Sequence, residues 1–148
     1  MIVQQILKLK ADGGAGDGVV TIAPTATVGE ATKLLSEKRI GAVIVSSDGK
    51  RPMGILSERD IVRAMGKLGP GAMDEKVQDL MTADLVTCTR ADGALDVLER
   101  MTEGRFRHMP VVEDGIMIGL ISIGDTVFAR LKELAMEKDA LTGMIMGN

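Results

Sequence analysis

Aromatic side chains are almost absent from this chain of 148 residues: Phe106 and Phe128 are the only two, with no Trp and no Tyr. That removes the stacking platforms on which proteins hold single-stranded nucleic acid. A net charge of −3 removes the basic surplus that such binding needs, and leaves only Lys8, Lys10 and the Arg105–His108 patch to serve it. A single cysteine, Cys88, excludes an internal disulfide and suits a reducing compartment. With a single histidine, His108, there is too little to build a His/Cys metal site. A Cys–His nucleophile pair would have to be these two residues. No stretch approaches membrane-spanning length, and the N-terminal MIVQQILKLKADGG lacks the apolar core of a secretory signal. Cytoplasm is the expected location.

What is present is ordinary for a globular protein, with 45% apolar and 26% charged residues. Methionine, used 11 times, supplies flexible filling where rings are missing. The dominant feature is an internal repeat. Residues 20–65, VTIAPTATVGEATKLLSEKRIGAVIVSSDGKRPMGILSERDIVRAM, align with residues 86–130, VTCTRADGALDVLERMTEGRFRHMPVVEDGIMIGLISIGDTVFAR. The offset is 66 as far as Asp48 and Asp114 and 65 from Gly54 and Gly119 onward. A supersecondary unit of this size cannot bury its apolar face alone and stacks on its twin. The seam between twins is where ligands tend to sit.

Each copy reads as β-α-β-β-α. A short β-rich segment (19–22; 85–88) precedes an amphipathic helix carrying Val28, Ala31, Leu34 and Leu35, matched by Ala94, Val97, Leu98 and Met101. Thr27 and Asp92 are the candidate caps. Apolar runs at 42–45 and 109–112 read as buried strands, and Ser-Asp-Gly and Glu-Asp-Gly turns fold them into hairpins. A second helix starts at Ser57 or Ser122. The expected division is an N-terminal segment 1–18, repeat one 19–66, a linker with a short helix 67–84, repeat two 85–132 and a helical extension 133–148. The stripe Val127, Leu131, Leu134 and Leu141 on that extension suits either a partner subunit or the chain's own core. The glycine-rich stretch 13–18 fails the dinucleotide pattern and precedes a strand instead of following one, so it reads as a flexible loop.

Two constellations bear on chemistry. In Gly54-Ile55-Leu56-Ser57-Glu58-Arg59-Asp60 and Gly119-Leu120-Ile121-Ser122-Ile123-Gly124-Asp125, a Ser stands three residues before an Asp at a strand-to-helix junction. That spacing suits a capping box. It equally suits a ligand site, with helix N–H groups and the Ser hydroxyl facing phosphate and the Asp carboxylate accepting a ribose diol. From spacing alone, capping is the favoured reading. The second constellation is Arg105-Phe106-Arg107-His108, where guanidinium groups beside an imidazole suit an anionic phosphate; charged residues leading into a strand are more often simply solvated. Repeat one has Gly41-Ala42 in place of Arg107-His108; it keeps Arg39 and adds Arg59. Cys88 aligns with Ile22, which favours a small buried apolar role for it.

With both repeats ending in G-h-x-S-x-x-D (h, apolar) before a helix, the chain resembles a tandem pair of cystathionine-β-synthase-type domains, the CBS pair or Bateman module. The wording GILSERDIVRAM, MTEGRFRHMPVVEDG and GLISIGD is similar to bacterial proteins made of little beyond one such pair. The resemblance spans residues 19–131. It implies an α/β (α+β) fold in which the β-α-β-β-α repeats pack with pseudo-two-fold symmetry. It implies no catalysis, no catalytic cofactor and no metal, but a regulatory site for an adenine nucleotide: AMP first, with ADP, ATP, NAD(H) or S-adenosylmethionine as other members of the class. Asp60 and Asp125 match the ribose-holding positions, Ser57 and Ser122 the hydroxyls near phosphate, and Arg107 and His108 the basic pair near phosphate. Thr21-Ile22 and Thr87-Cys88 match the segment lining adenine. A homodimer and a regulated partner protein complete the expectation, with two clefts of unequal phosphate affinity. The competing expectations are an interaction module whose Ser and Asp only cap helices, and a Cys88/His108 enzyme.

Overall fold

The computed structural model describes residues 1–13 and 19–145. The glycine-rich stretch beyond residue 13 lies outside them. In chain order the elements are α1 (Val3–Asp12), β1 (Thr21–Ile22), α2 (Val28–Lys38), β2 (Ala42–Val45), β3 (Gly54–Ser57), α3 (Glu58–Leu68), a 3₁₀ turn (Gly69–Asp74), α4 (Val77–Leu80), α5 (Ala94–Gly104), β4 (His108–Glu113), β5 (Ile116–Ser122) and α6 (Ile123–Ile145). The mixed α+β architecture and the twofold β-α-β-β-α order agree with the sequence. The first segment of repeat two is reduced to one parallel bridge, Cys88 to Val111.

The backbone repeats even in its unusual conformations. Arg39 and Arg105 end α2 and α5 in the left-handed region, at φ 55° and 57°. Asp114 and Gly115 both have positive φ, 53° and 77°. That pair is the two-residue Asp-Gly turn whose twist suits a tight hairpin, here joining β4 to β5.

The chain divides into two compact units that do not follow sequence order. One comprises residues 19–86 with 113–118. Its sheet runs β1-β2-β3, with β1 parallel to β2 (Thr21 opposite Ile44) and β2 antiparallel to β3 (Ala42 opposite Ser57). All four residues of β2 are buried, as befits a central strand covered on both faces. Val28, Ala31 and Leu35 of α2 pack there with Val43, Val45, Leu56 and Val77. Thr27 caps α2, its side chain accepting from the Glu30 N–H at 3.1 Å. Residues 69–74, which read as linker, form the 3₁₀ turn, and Ala72 within it is fully buried.

The other unit comprises residues 1–13, 87–112 and 119–145 among those described. Helix α1 belongs to it, so the N-terminal segment completes the second repeat and not the first. Val3 and Ile6 are buried, and residues 1–4 bond to the backbone at 90–94: Val3 N–H to Asp92 O at 2.9 Å, Gln4 N–H to Arg90 O at 3.0 Å, Ala94 N–H to Met1 O at 2.9 Å. The first repeat is completed in the same way by the linker: Val77 N–H to Ala26 O, Gln78 N–H to Pro24 O and Val28 N–H to Glu75 O, at 2.8, 3.0 and 2.8 Å. Val3-Gln4-Gln5-Ile6-Leu7 and Val77-Gln78-Asp79-Leu80-Met81 are therefore equivalent segments.

Asp92 does not cap α5, whose N-cap is Gly93. It accepts from the Thr89 N–H at 2.8 Å and from Arg100 at 3.1 Å, which closes the preceding turn instead. The stripe on α6 does not fold back: Val127, Leu131, Leu134 and Leu141 are 40–61% exposed. No helix among the described residues is long and apolar enough to cross a membrane.

Candidate functional site

Both Ser/Asp motifs sit where the sequence places them, at a strand-to-helix junction in each unit. In the first repeat the Asp60 carboxylate accepts the Ser57 N–H at 2.8 Å and the Ser57 hydroxyl at 3.0 Å, while the Asp60 N–H reaches back to Ser57 Oγ at 3.3 Å. This is a reciprocal capping box with Asp in the role usual for Glu. In the second repeat Asp125 accepts the Ser122 N–H at 2.8 Å, and the Asp125 N–H donates to Ser122 Oγ at 3.0 Å. The backbone before each strand closes the same ring, Glu58 N–H to Gly41 O at 2.9 Å and Ile123 N–H to Arg107 O at 2.8 Å. The structure thus brings Arg107 beside the Ser122/Asp125 junction, at the place Gly41 holds beside Ser57 and Asp60.

The two junctions differ in what reaches the carboxylate from outside. Lys10, from α1, lies 2.9 Å from Asp125 and donates to Leu120 O at 2.6 Å. Leu120 is the counterpart of Ile55, whose N–H and C=O pair with Thr82 at 3.0 and 2.9 Å. Where the linker runs extended beside β3, α1 continues as a helix and offers a lysine in place of a backbone partner. Burial pushes the Asp125 carboxyl up, but the hydrogen bonds from Lys10 and Ser122 and the lysine charge outweigh it, so its pKa lies below the ordinary value. Sequence reasoning weighed Lys10 only as part of a basic patch. The signal that could have placed it is the Val-Gln likeness of α1 to α4.

The other candidate residues spread out. Thr21 and Ile22 lie on β1 and Ser57 on β3, on opposite sides of β2. Two strand spacings, about 9–10 Å, separate those positions, so one small group cannot touch both. Thr87 is exposed, with its C=O accepting from Arg100 at 3.1 Å. Cys88 is 2% exposed and its thiol faces Pro110 O at 3.8 Å. Burial, with a smaller push from Asp92, drives the thiol pKa up to about 12. The small apolar role fits, and a thiolate nucleophile does not. Arg59 is exposed in the first turn of α3, and His108 opens β4 half-buried. Arg39 lines a different surface, an open apolar groove of about 390 Å³ between α2 and α3, whose walls include neither Ser57 nor Asp60. Among the described residues no group of three His, Cys, Asp or Glu side chains is arranged to hold a metal ion.

Comparison with known proteins bears on the same residues. The CBS domain profile matches residues 16–67 and 77–132. The mitochondrial CBS domain-containing protein CBSX3 of Arabidopsis thaliana is 35% identical over 144 residues, 94% of this chain and 70% of that protein. A CBS-domain-containing protein of Agrobacterium tumefaciens has a solved structure 41% identical in sequence, with a TM-score of 0.80 over 87% of this chain and 92% of that one. A CBS domain protein of Pyrobaculum aerophilum, solved in complex with AMP, is 28% identical with a TM-score of 0.75 over 92% of this chain and 99% of that one. Both halves of the internal repeat are accounted for by one domain type, and the chain belongs to the CBS domain family, carrying that domain twice.

Proposed function

We propose that the chain is a regulatory module that binds an adenine nucleotide, AMP first among ADP, ATP and NAD(H), and passes its occupancy to a partner protein without catalysing a reaction. The observation that carries this reading is the AMP held by the Pyrobaculum aerophilum relative of the same fold. The local chemistry supports it. Each repeat presents a carboxylate suited to a ribose diol beside the N-terminus of a helix of more than ten residues, where backbone N–H groups and the dipole favour phosphate. Arg107 adds a forked cation near the second of these. Thr21 and Ile22 lie two strand spacings from the Ser57 junction, across β2, a separation suited to a nucleoside more than to a simple anion. In this reading the protein works in the cytoplasm as a homodimer, for which the exposed apolar residues of α6 offer a surface.

Thermal melts with AMP, ADP, ATP, NADH and S-adenosylmethionine test the proposal. At about 100 times Kd a ligand adds about 2.7 kcal/mol of stability, a rise of several degrees in Tm. The absence of a shift with every adenylate overturns it. One observation favours a second reading, an interaction module without ligand: Asp60 and Asp125 are both already engaged in caps. That reading expects Asp→Ala changes to lower stability and to leave ligand response at zero throughout.

A further inference from the structure

The two repeats agree at Ser and Asp, and the second adds a lysine on its carboxylate. Asp125 Oδ2 accepts the Ser122 N–H at 2.8 Å and stands 2.9 Å from Lys10 Nζ. The pair is sheltered, with side chains 28% and 25% exposed. Lys10 is held in place independently of Asp125 by Leu120 O at 2.6 Å and by the packing of α1, whose Val3 and Ile6 are buried. Leu7, one turn before Lys10, seats over Gly119, where an added Cβ would lie 2.6 Å from its Cδ2. At the first repeat the equivalent chain has left the helix at Leu80 and pairs through Thr82 with Ile55, so its backbone occupies the place of the lysine. The inequality is therefore built by the segment that completes each repeat, separately from the exchange of Arg107-His108 for Gly41-Ala42.

We propose that Lys10 is a specificity-determining residue of the second site: it holds the Asp125 carboxylate that a ribose diol would otherwise take, so that a nucleoside must displace the lysine to bind there. This rests on the adenine-nucleotide reading. A diol offers two neutral donors to a carboxylate that already holds an ammonium, so exchanging one for the other gives up a charge-assisted bond. Among the described residues, the segment that completes the first site brings no such competitor, its backbone at Thr82 pairing with Ile55 instead.

The test is calorimetric titration of AMP into the full chain carrying Asp60→Ala, which leaves the second site to be read alone. Adding Lys10→Gln, which keeps a donor for Leu120 O but removes the charge, tightens AMP binding by about fivefold, the scale of a partly sheltered ion pair. Lys10→Met does the same if it folds, and Lys10→Arg stays near the parent. The gain disappears when Asp125→Ala is added. Because the expected change is tighter binding, a loss of fold cannot imitate it. Unchanged or weaker binding in Lys10→Gln, with AMP still binding the unaltered chain, overturns the role of Lys10 alone. No AMP heat in the unaltered chain or in any variant overturns it together with the nucleotide reading.

Discussion

Asp60 and Ser57 hold each other across the start of α3: the carboxylate takes both the N–H and the hydroxyl of Ser57, and the Ser57 oxygen takes the Asp60 N–H. One side chain thus has a structural duty that exists with or without ligand. Asp60→Ala is expected to lower stability by about 1 kcal/mol, the usual cost of losing a cap. In combination with Asp125→Ala it is also expected to abolish the thermal shift with AMP. Melts of the double variant with and without AMP check both. A shift that survives in the double variant would falsify the assignment of these carboxylates to the ribose.

The glycine that opens each motif answers to its completing segment. A Cβ at Gly54 would lie 2.5 Å from Met81 Sδ and 2.9 Å from Thr82 O, a backbone atom that pairs with Ile55. At Gly119 the nearest atoms belong to the flexible end of Leu7. Gly54→Ala is therefore expected to cost about 1–3 kcal/mol and Gly119→Ala less. Denaturant unfolding of the two variants, compared at equal m-value, reads the order directly.

Acid is expected to unfold the protein through carboxyls whose folded pKa is depressed. Asp48 falls to about 2 because the Arg51 and Lys50 N–H groups both donate to it. Asp92, Asp125 and Glu133 are also lowered: Asp92 chiefly by the Thr89 N–H, Asp125 by Lys10 and Ser122 against its burial, and Glu133 chiefly by the N-terminal amino group. A lowered folded pKa means that the unfolded chain binds more protons, so stability is complete above the unfolded values of 3.8–4.5 and is lost as pH falls below them. Tm measured from pH 6 down to about 2 should stay level and then drop. Lys10→Met should flatten part of the drop by removing the cation that lowers Asp125.

Cys88 should resist alkylation. Its thiol is 2% exposed and its pKa is raised to about 12, so thiolate is scarce near neutral pH. Mass spectrometry after iodoacetamide treatment at pH 8 should show slow labelling in the native chain and rapid labelling in denaturant. Fast native labelling would reopen a catalytic role for the thiol.

Much of this architecture follows from local pattern. Period-3.6 apolar spacing placed α2 and α5, the Asp-Gly turn placed the β4–β5 hairpin, and Ser-x-x-Asp marked both helix starts, because each of these is decided by neighbours a few residues apart. Comparing the copies showed that the Ser and Asp are shared and that the basic residues are not. Three assignments needed the tertiary structure. Asp92 closes a turn, its carboxylate taken by the Thr89 N–H and by Arg100 from within α5. The α6 stripe stays exposed because Thr126 and Ala129, and not the larger residues, face inward. Helix α1, which reads as a mere lead-in, is claimed by the second repeat through burial of Val3 and Ile6 and backbone bonds to residues 90–94. The sequence by itself determined that there are two like units with two like junctions. That Lys10 reaches one of those carboxylates was decided only in three dimensions, since a short amphipathic helix shows which face it buries but not which distant strand it will cover.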